Sequence, residues 1–157
     1  MDIRPIRADE VPVLIDDLWL PFADEMRGID ERDSLAEEVD VRTEAIDYRR
    51  AQLDDEDVQT FVAVEDGVLA GYTTVTYSEG PSVFARGPRA KIKDLYVAPE
   101  NRGAGFGTEL LERAHEWGRE RDCESAALTV HARNETARQC YEAMDYETRY
   151  VKMDRPL

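Results

Sequence analysis

The sequence predicts an α+β domain built on one mixed β-sheet, with elements in the order β-α-α-β-β-β-α-β-α-β and helices on both faces. Three observations carry that expectation. Two apolar runs, T-F-V-A-V-E and V-L-A-G-Y-T-T-V-T-Y, flank Asp66-Gly67, a residue pair suited to a two-residue antiparallel hairpin turn. A third run, K-I-K-D-L-Y-V, enters a glycine-rich turn and then a helical pattern, the opening of a right-handed parallel crossover. No internal repeat or low-complexity linker divides the chain, so residues 1–157 read as a single domain.

Each element has a local reason. Residues 3–7 form a short strand, and Ala8-Asp9 then offers a helix start with Pro12 tolerable in the first turn. Val11, Leu14, Ile15, Leu18 and Trp19 recur at helical spacing until Pro21 ends or bends the helix. Residues 33–53 read as a polar surface helix with a weak stripe of Leu35, Val39, Ala45 and Ile46. The hairpin strands follow, and then a loop over residues 78–88 that holds Gly80, Pro81, Gly87 and Pro88. Residues 91–97 form a strand. Beyond the glycine turn, Leu110, Leu111, Ala114 and Trp117 fall on one helical face. Residues 125–131 suit a buried strand, 134–144 a helix capped by Asn134, and 146–153 a closing strand. A closing strand on the sheet edge leaves homodimerisation open.

Composition narrows the function. With 35 acidic and 20 basic residues, the formal charge is −15. Such a surface repels nucleic acid. It suits either a protein adapted to high salt, with a halophile-like carboxylate shell, or one that attracts cationic amines. The acids are spread along the chain, which favours the first. No apolar run is long enough to cross a bilayer, and M-D-I-R-P-I-R lacks a secretion core, so a soluble cytoplasmic protein is expected. Cys123, Cys140, His115 and His131 are too few and too scattered for a disulfide framework or a metal site.

The stretch N-R-G-A-G-F-G-T-E-L-L is the most specific signal. A turn with few side chains lets backbone N–H groups converge on an anion, and the following helix adds its positive end. A P-loop would need Lys-Ser/Thr after Gly107, where the chain has Thr108-Glu109. A dinucleotide turn would need glycine at Thr108 and an acid after the next strand, which instead ends Val130-His131. Arg102-Gly103-Ala104-Gly105-Phe106-Gly107 does resemble the coenzyme A turn of the GNAT superfamily of N-acetyltransferases, Gln/Arg-x-x-Gly-x-Gly/Ala. The preceding D-L-Y-V-A-P is similar to that family's central strand. Asn134, Ala137 and Tyr141 match its Asn-x-x-Ala-x-x-x-Tyr, and E-T-R-Y-V-K-M resembles its last strand. The motifs come in the family's order and span essentially the whole chain. One departure is Asp145 where the family often has glycine after the last helix; aspartate tolerates a left-handed turn.

The resemblance implies an acetyl-coenzyme A-dependent N-acetyltransferase. Its acceptor would be a primary amine: a small molecule, a peptide N-terminus or a lysine. The amine would attack directly in a ternary complex. The alternative is a coenzyme A-binding sensor without turnover. The resemblance further implies that the backbone of Gly103, Ala104, Gly105, Phe106, Gly107 and Thr108 binds the pyrophosphate. Leu95, Tyr96 and Val97 would pair with the pantetheine arm, and an N–H near Val97 would meet the developing oxyanion. Arg102 either touches phosphate or braces the turn. Asn134 would contact pantetheine.

Tyr141, seven residues and about two helical turns after Asn134, shares its face and would protonate the departing sulfur; alone it would read as a core aromatic. Where some members place glutamate on the central strand or the one after it, the corresponding positions of this chain hold Lys91 or Lys93, and Thr129. Asp94 is the nearest carboxylate, on the same strand face as Tyr96 and opposite Leu95 and Val97. It either takes the amine's proton, steadies an ammonium, or simply pairs with an arginine. His131 is a second candidate base. Trp19, Phe22 and Tyr77 are candidate acceptor-wall residues, and Glu25 a candidate amine contact.

Overall fold

A computed structural model describes residues 1–157. Strands β1 (Asp2–Pro5), β2 (Val58–Glu65), β3 (Val68–Ser78), β4 (Arg89–Val97) and β5 (Ser125–Leu128) form one sheet in the order β1-β2-β3-β4-β5. All neighbours are antiparallel except β4 and β5, which are parallel. Asp66 and Gly67 have φ of 51° and 77°, as the expected hairpin turn requires.

Helices cover both faces. On one side α4 (Phe106–Glu120) buries Phe106, Leu110, Leu111, Ala114 and Trp117 against Phe61, Val75, Ala90 and Ile92. The fit is close: a Cβ built on Gly118 would lie 2.8 Å from that of Ala90. On the other side lie α1 (Val11–Leu14), a π-turn (Ile15–Trp19), α2 (Leu20–Ile29) and α3 (Val41–Gln52). Val11, Leu14, Ile15, Leu18 and Ile46 pack there on Val62, Leu69, Tyr72 and Tyr96. Pro21 neither ends the helix nor stands alone as a break. The helical backbone runs on through Trp19 and Leu20, and the π-turn just before Pro21, with Leu20 N bonded to Ile15 O, shifts the ladder where the proline N–H is missing.

Three expectations are corrected. Residues 33–53 are not one helix: α3 begins only at Val41, because the Asp40 carboxylate caps it by accepting from Thr43 N at 3.1 Å, while Leu35 and Val39 stay exposed. The β5 strand stops at Leu128 rather than 131. The closing strand over 146–153 is absent. Tyr146 N bonds to Tyr141 O behind α5 (Glu135–Ala143), with Asp145 left-handed at φ 68°, and no later residue donates a backbone hydrogen bond. Tyr150, Val151 and Met153 are exposed. The homodimer expectation loses the strand on which it rested.

One irregularity positions the site. Thr74 pairs with Asp94 and Val75 with Ile92, so Lys93 is an extra residue that bulges out of β4. The bulge shifts the alternation. Ala90 and Ile92 face α4; beyond it, Leu95 and Val97 take that face, and Tyr96 turns to the α1–α3 side. Asp94 turns with Tyr96 and reaches α3, its carboxylate meeting Arg49.

Candidate active site

The parallel pairing of β4 with β5 runs from Arg89↔Ser125 to Ile92↔Leu128 and ends there, while β4 continues to Val97. Residues 93–97 therefore have no strand on their β5 side. The sheet forks, and Leu95, Tyr96 and Val97 lie along the open prong. An extended ligand can add there as a strand does, by main-chain hydrogen bonds.

The glycine turn lies just beyond the fork. Gly103 and Gly105 have φ of 79° and 88°, a region that costs other residues strain. Phe106 buries its ring in the core and fixes the start of α4. No backbone N–H of Gly103, Ala104, Gly105, Phe106, Gly107 or Thr108 donates to a protein carbonyl; the first donor in the helix is Glu109 N, to Gly105 O. Unspent amides facing solvent at a helix N-terminus fit a pyrophosphate.

Arg102 points elsewhere. Its Nε donates to Val97 O at 2.9 Å, its Nη2 to both Glu25 oxygens at 2.9 Å, and its guanidinium lies 5.4 Å from the Tyr96 ring centre. Of the two roles open to it, the side chain takes the brace, joining the end of β4 to α2. Glu25 is thereby engaged by Arg102, and Phe22 stacks on Tyr96 at 5.3 Å. Burial first, then the hydrogen bond and charge of Glu25, push the Tyr96 hydroxyl up to about 12.

Tyr141, on α5, packs among the α4-side core residues and meets Tyr146 edge-on at 5.8 Å. Burial, then the charges of Cys140 and Asp94, push it up to about 12, so the hydroxyl keeps its proton at neutral pH. Tyr146 is itself held by His115 Nε2 at 2.6 Å. Asn134 Oδ1 caps α5 through Ala137 N at 3.2 Å, leaving the amide nitrogen of that side chain for another partner.

Asp94 lies on the opposite sheet face from Tyr141. Its Oδ2 accepts from Arg49 Nη2 at 2.6 Å, with 24% of the carboxylate side chain and 6% of the arginine side chain exposed. Arg49 Nη1 also donates to Thr74 Oγ1 at 2.7 Å, and the guanidinium lies over the Tyr72 ring at 5.1 Å. Sequence reasoning missed Arg49. The signal was its spacing: it stands three residues after Ile46, on the buried side of α3.

His131 is not free to act as a base. Its Nδ1 accepts from Arg133 N at 3.0 Å, so Nε2 carries the hydrogen and donates to Asp30 Oδ2 at 2.8 Å. Asp30, at the end of α2, is held below the ordinary carboxylate range first by this hydrogen bond and then by Arg32 N–H. Trp19 packs against the α1–α3 core. Tyr77 is remote. It pairs with Ala90 at the start of β4 and, with Trp117 and Asp57, lines a hollow of about 650 Å³ at the sheet's other end.

The acetyltransferase (GNAT) family model matches residues 20–146, a span that holds both the fork and the turn of free amides. The chain belongs to the GNAT acetyltransferase family. It is 39% identical over 97 residues to a streptothricin acetyltransferase of Streptomyces lavendulae, across 61% of this chain and 48% of that protein. The chain thus spans about half the length of that relative. It is 30% identical over 145 residues to an uncharacterized N-acetyltransferase of Archaeoglobus fulgidus, covering 92% of each. In fold it superposes on a tetramutant protein of Bacillus halodurans with TM-score 0.88, at 18% identity and full coverage of both chains. It also superposes on a predicted acetyltransferase of Clostridium acetobutylicum solved with acetyl-CoA, with TM-score 0.73 at 17% identity, over 98% and 95% of the two chains.

GNAT enzymes take their acetyl group from acetyl-CoA, and the free amides and open strand of this chain fit that donor. No helix is long and apolar enough to cross a membrane.

Proposed function

We propose that this GNAT protein acetylates a primary amine of a small cationic molecule by direct attack in a ternary complex. The observation that carries the reading is the fork itself. β4 runs on past the end of β5, and Asp94, on the α1–α3 face, and Tyr141, packed with Leu95 and Val97 on the α4 side, lie on opposite faces of the strand that borders the opening.

Bound acetyl-CoA supplies an activated thioester. The amides of residues 103–108 hold its pyrophosphate, and the free edge at Leu95, Tyr96 and Val97 aligns its arm, with Asn134 nearby. The attacking amine nitrogen forms the new C–N bond as the C–S bond breaks. Tyr141 gives its proton to the departing sulfur. The amine's own proton passes to Asp94 or to water and Tyr141 regains one from solvent, so a neutral amine and the thioester give an amide and a thiol with no net proton, and one proton is released only when the amine enters as its ammonium. Tyr141, buried and holding its proton, suits the acid role. The streptothricin acetyltransferase relative favours a small cation over a peptide or lysine.

The experiment follows thiol release from acetyl-CoA with a panel of amines: streptothricin, 2-deoxystreptamine aminoglycosides, spermidine, N-terminal peptides and a lysine peptide. Release on a small cation supports the reading, and Tyr141→Phe should then lower kcat on the order of 10²-fold with coenzyme A affinity held within about twofold. Full turnover in that variant removes Tyr141 from the chemistry. The engagement of Asp94 by Arg49 favours a second reading, a coenzyme A sensor, which tight binding with no release on any amine would support.

A further inference from the structure

We propose that Arg49 is a positioning residue for the acceptor amine, acting through Asp94: it fixes one carboxylate oxygen so that the other stands ready at the fork. The inference rests on the amine-acetylation reading and extends it to α3, a helix on the far side of the sheet from the cofactor turn.

Arg49 is buried in a protein that carries 35 acidic residues and has abundant surface for a charged side chain. Burying a guanidinium is costly unless it is paired and hydrogen-bonded. Here the cost is met by three contacts that leave the group little freedom. Thr74 Oγ1 takes Nη1, Asp94 Oδ2 takes Nη2, and the Tyr72 ring lies beneath the plane. Thr74 is in turn 2.9 Å from Thr60 Oγ1, so the network reaches across β2 and β3. Held at three points, the arginine is a fixed object against which Asp94 is set.

The rest of Asp94 is set as well. Its carbonyl oxygen accepts from Thr73 Oγ1 at 2.7 Å, and the Lys93 bulge turns its side chain toward α3. Oδ2 is held by Arg49, Oδ1 accepts no further well-formed hydrogen bond although the buried Tyr72 hydroxyl lies beside the carboxylate, and 24% of the side chain is exposed. A carboxylate anchored through one oxygen presents the other in a fixed direction. That suits it to receive an N–H of an amine, since each hydrogen bond to a charged group is directional and stronger than a neutral one. Without Arg49 the carboxylate would rotate, and the buried polar groups around it would lose their partner.

This assignment separates amine binding from cofactor binding. Arg49 and Asp94 lie on the α1–α3 face, and neither touches the 102–108 turn. A purely structural arginine would disturb both substrates alike or only the melting temperature. A positioning arginine disturbs the amine.

The test uses the full chain with spermidine and a 2-deoxystreptamine aminoglycoside as amine probes, in wild type, Arg49→Lys, Arg49→Met, Asp94→Asn and the Arg49→Met/Asp94→Asn double variant. Each is measured for KM of the amine, KM of acetyl-CoA, coenzyme A Kd, kcat and Tm. Arg49→Met is expected to raise amine KM on the order of tenfold with coenzyme A Kd within about twofold, and Arg49→Lys to recover part of the loss. In the Asp94→Asn background, losing Arg49 should raise amine KM no further. Should Arg49→Met fail to fold, Arg49→Lys carries the test, its milder rise in amine KM vanishing beside Asp94→Asn. An unchanged amine KM in folded Arg49 variants, an undiminished effect in the Asp94→Asn background, or an equal loss for coenzyme A overturns the assignment alone. A wild-type chain that binds coenzyme A and acetylates no amine overturns the amine reading and this assignment with it.

Discussion

Replacing Gly105 by alanine tests whether the cofactor turn is held in a left-handed shape for binding. Gly105 has φ 88°, and a Cβ there would meet nothing within 4 Å, so no clash contributes. What remains is backbone strain, about 1–2 kcal/mol for a non-glycine residue at left-handed φ. That free energy can surface in two ways. If the turn keeps its shape, the folded state carries the strain, and Tm falls by about 2–8 °C for a chain of this size. If the turn relaxes to negative φ, stability is spared, the amides of residues 103–108 no longer converge, and coenzyme A binds about 5- to 30-fold more weakly.

Calorimetric titration of coenzyme A and thermal unfolding, run on the same preparation, should therefore show losses that together amount to about 1–2 kcal/mol. Gly28→Ala is the control. Gly28 sits in α2 with open space around its Cβ position and no left-handed φ, so alanine should leave binding unchanged and stability equal or slightly higher. If Gly105→Ala matched that control in both measurements, the turn would not be the strained amide cradle described above.

Further outcomes follow from other contacts. Gly118→Ala should destabilise by about 1–3 kcal/mol, because its Cβ would sit 2.8 Å from the Ala90 Cβ across the helix–sheet contact; an unchanged urea midpoint would mean α4 is free to shift. Burial holds the His115 imidazole below its ordinary 6.5, so the unfolded chain takes up the proton first. Its contribution is intact above ~6.5 and is lost as pH falls toward the folded-state value. His115→Gln should flatten that part of the acid slope, and an identical slope would assign the loss to other groups. At a formal charge of −15, screening by KCl should raise Tm as surface repulsion falls. A Tm flat or falling between dilute buffer and ~1 M KCl would count against a surface built for salt.

The legible parts of the fold were those whose cause is local. The Asp66-Gly67 hairpin, the apolar face of α4 and the left-handed Asp145 after α5 each depend on a few neighbouring residues, and each stands where the sequence puts it. The glycine turn was legible for the same reason, since positive φ at Gly103 and Gly105 is written in the residue type. What stayed hidden was tertiary. Spacing from Ile46 puts Arg49 on the inner side of α3, but nothing in R-R-A-Q shows what would pair a buried guanidinium until Thr74 and Asp94, from β3 and β4, are brought to it. Arg102 was legible as a motif residue but not as a brace, because Glu25 lies far from it in sequence. The closing strand failed in the opposite sense. Its alternation suits a strand, but Tyr150, Val151 and Met153 stay exposed, and pattern without burial does not order a chain.

The fork has the same logic and shows why residues 125–131 look like one uninterrupted strand. Thr129 and Val130 are good strand formers, so their composition does not explain why pairing with β4 stops at Leu128. The contacts of the next residue do. His131 is bonded through Nε2 to Asp30 at the end of α2 and through Nδ1 to the backbone of Arg133, and its carbonyl accepts from Asn134 N. These bonds tie the exit of β5 to α2 and to the start of α5, drawing it off the line that β4 follows. The open edge of residues 93–97 is therefore imposed by tertiary contacts on a segment that would otherwise continue the sheet. An edge held open in this way keeps its hydrogen-bonding groups available for an extended ligand, and the free amides of the turn lie just past the end of the same strand. The α2 end that holds β5 away from β4 also carries Glu25, clamped by Arg102 beside the turn. One helix thus touches the fork at both its prongs, and the spacing of the site is set by α2 as much as by the sheet.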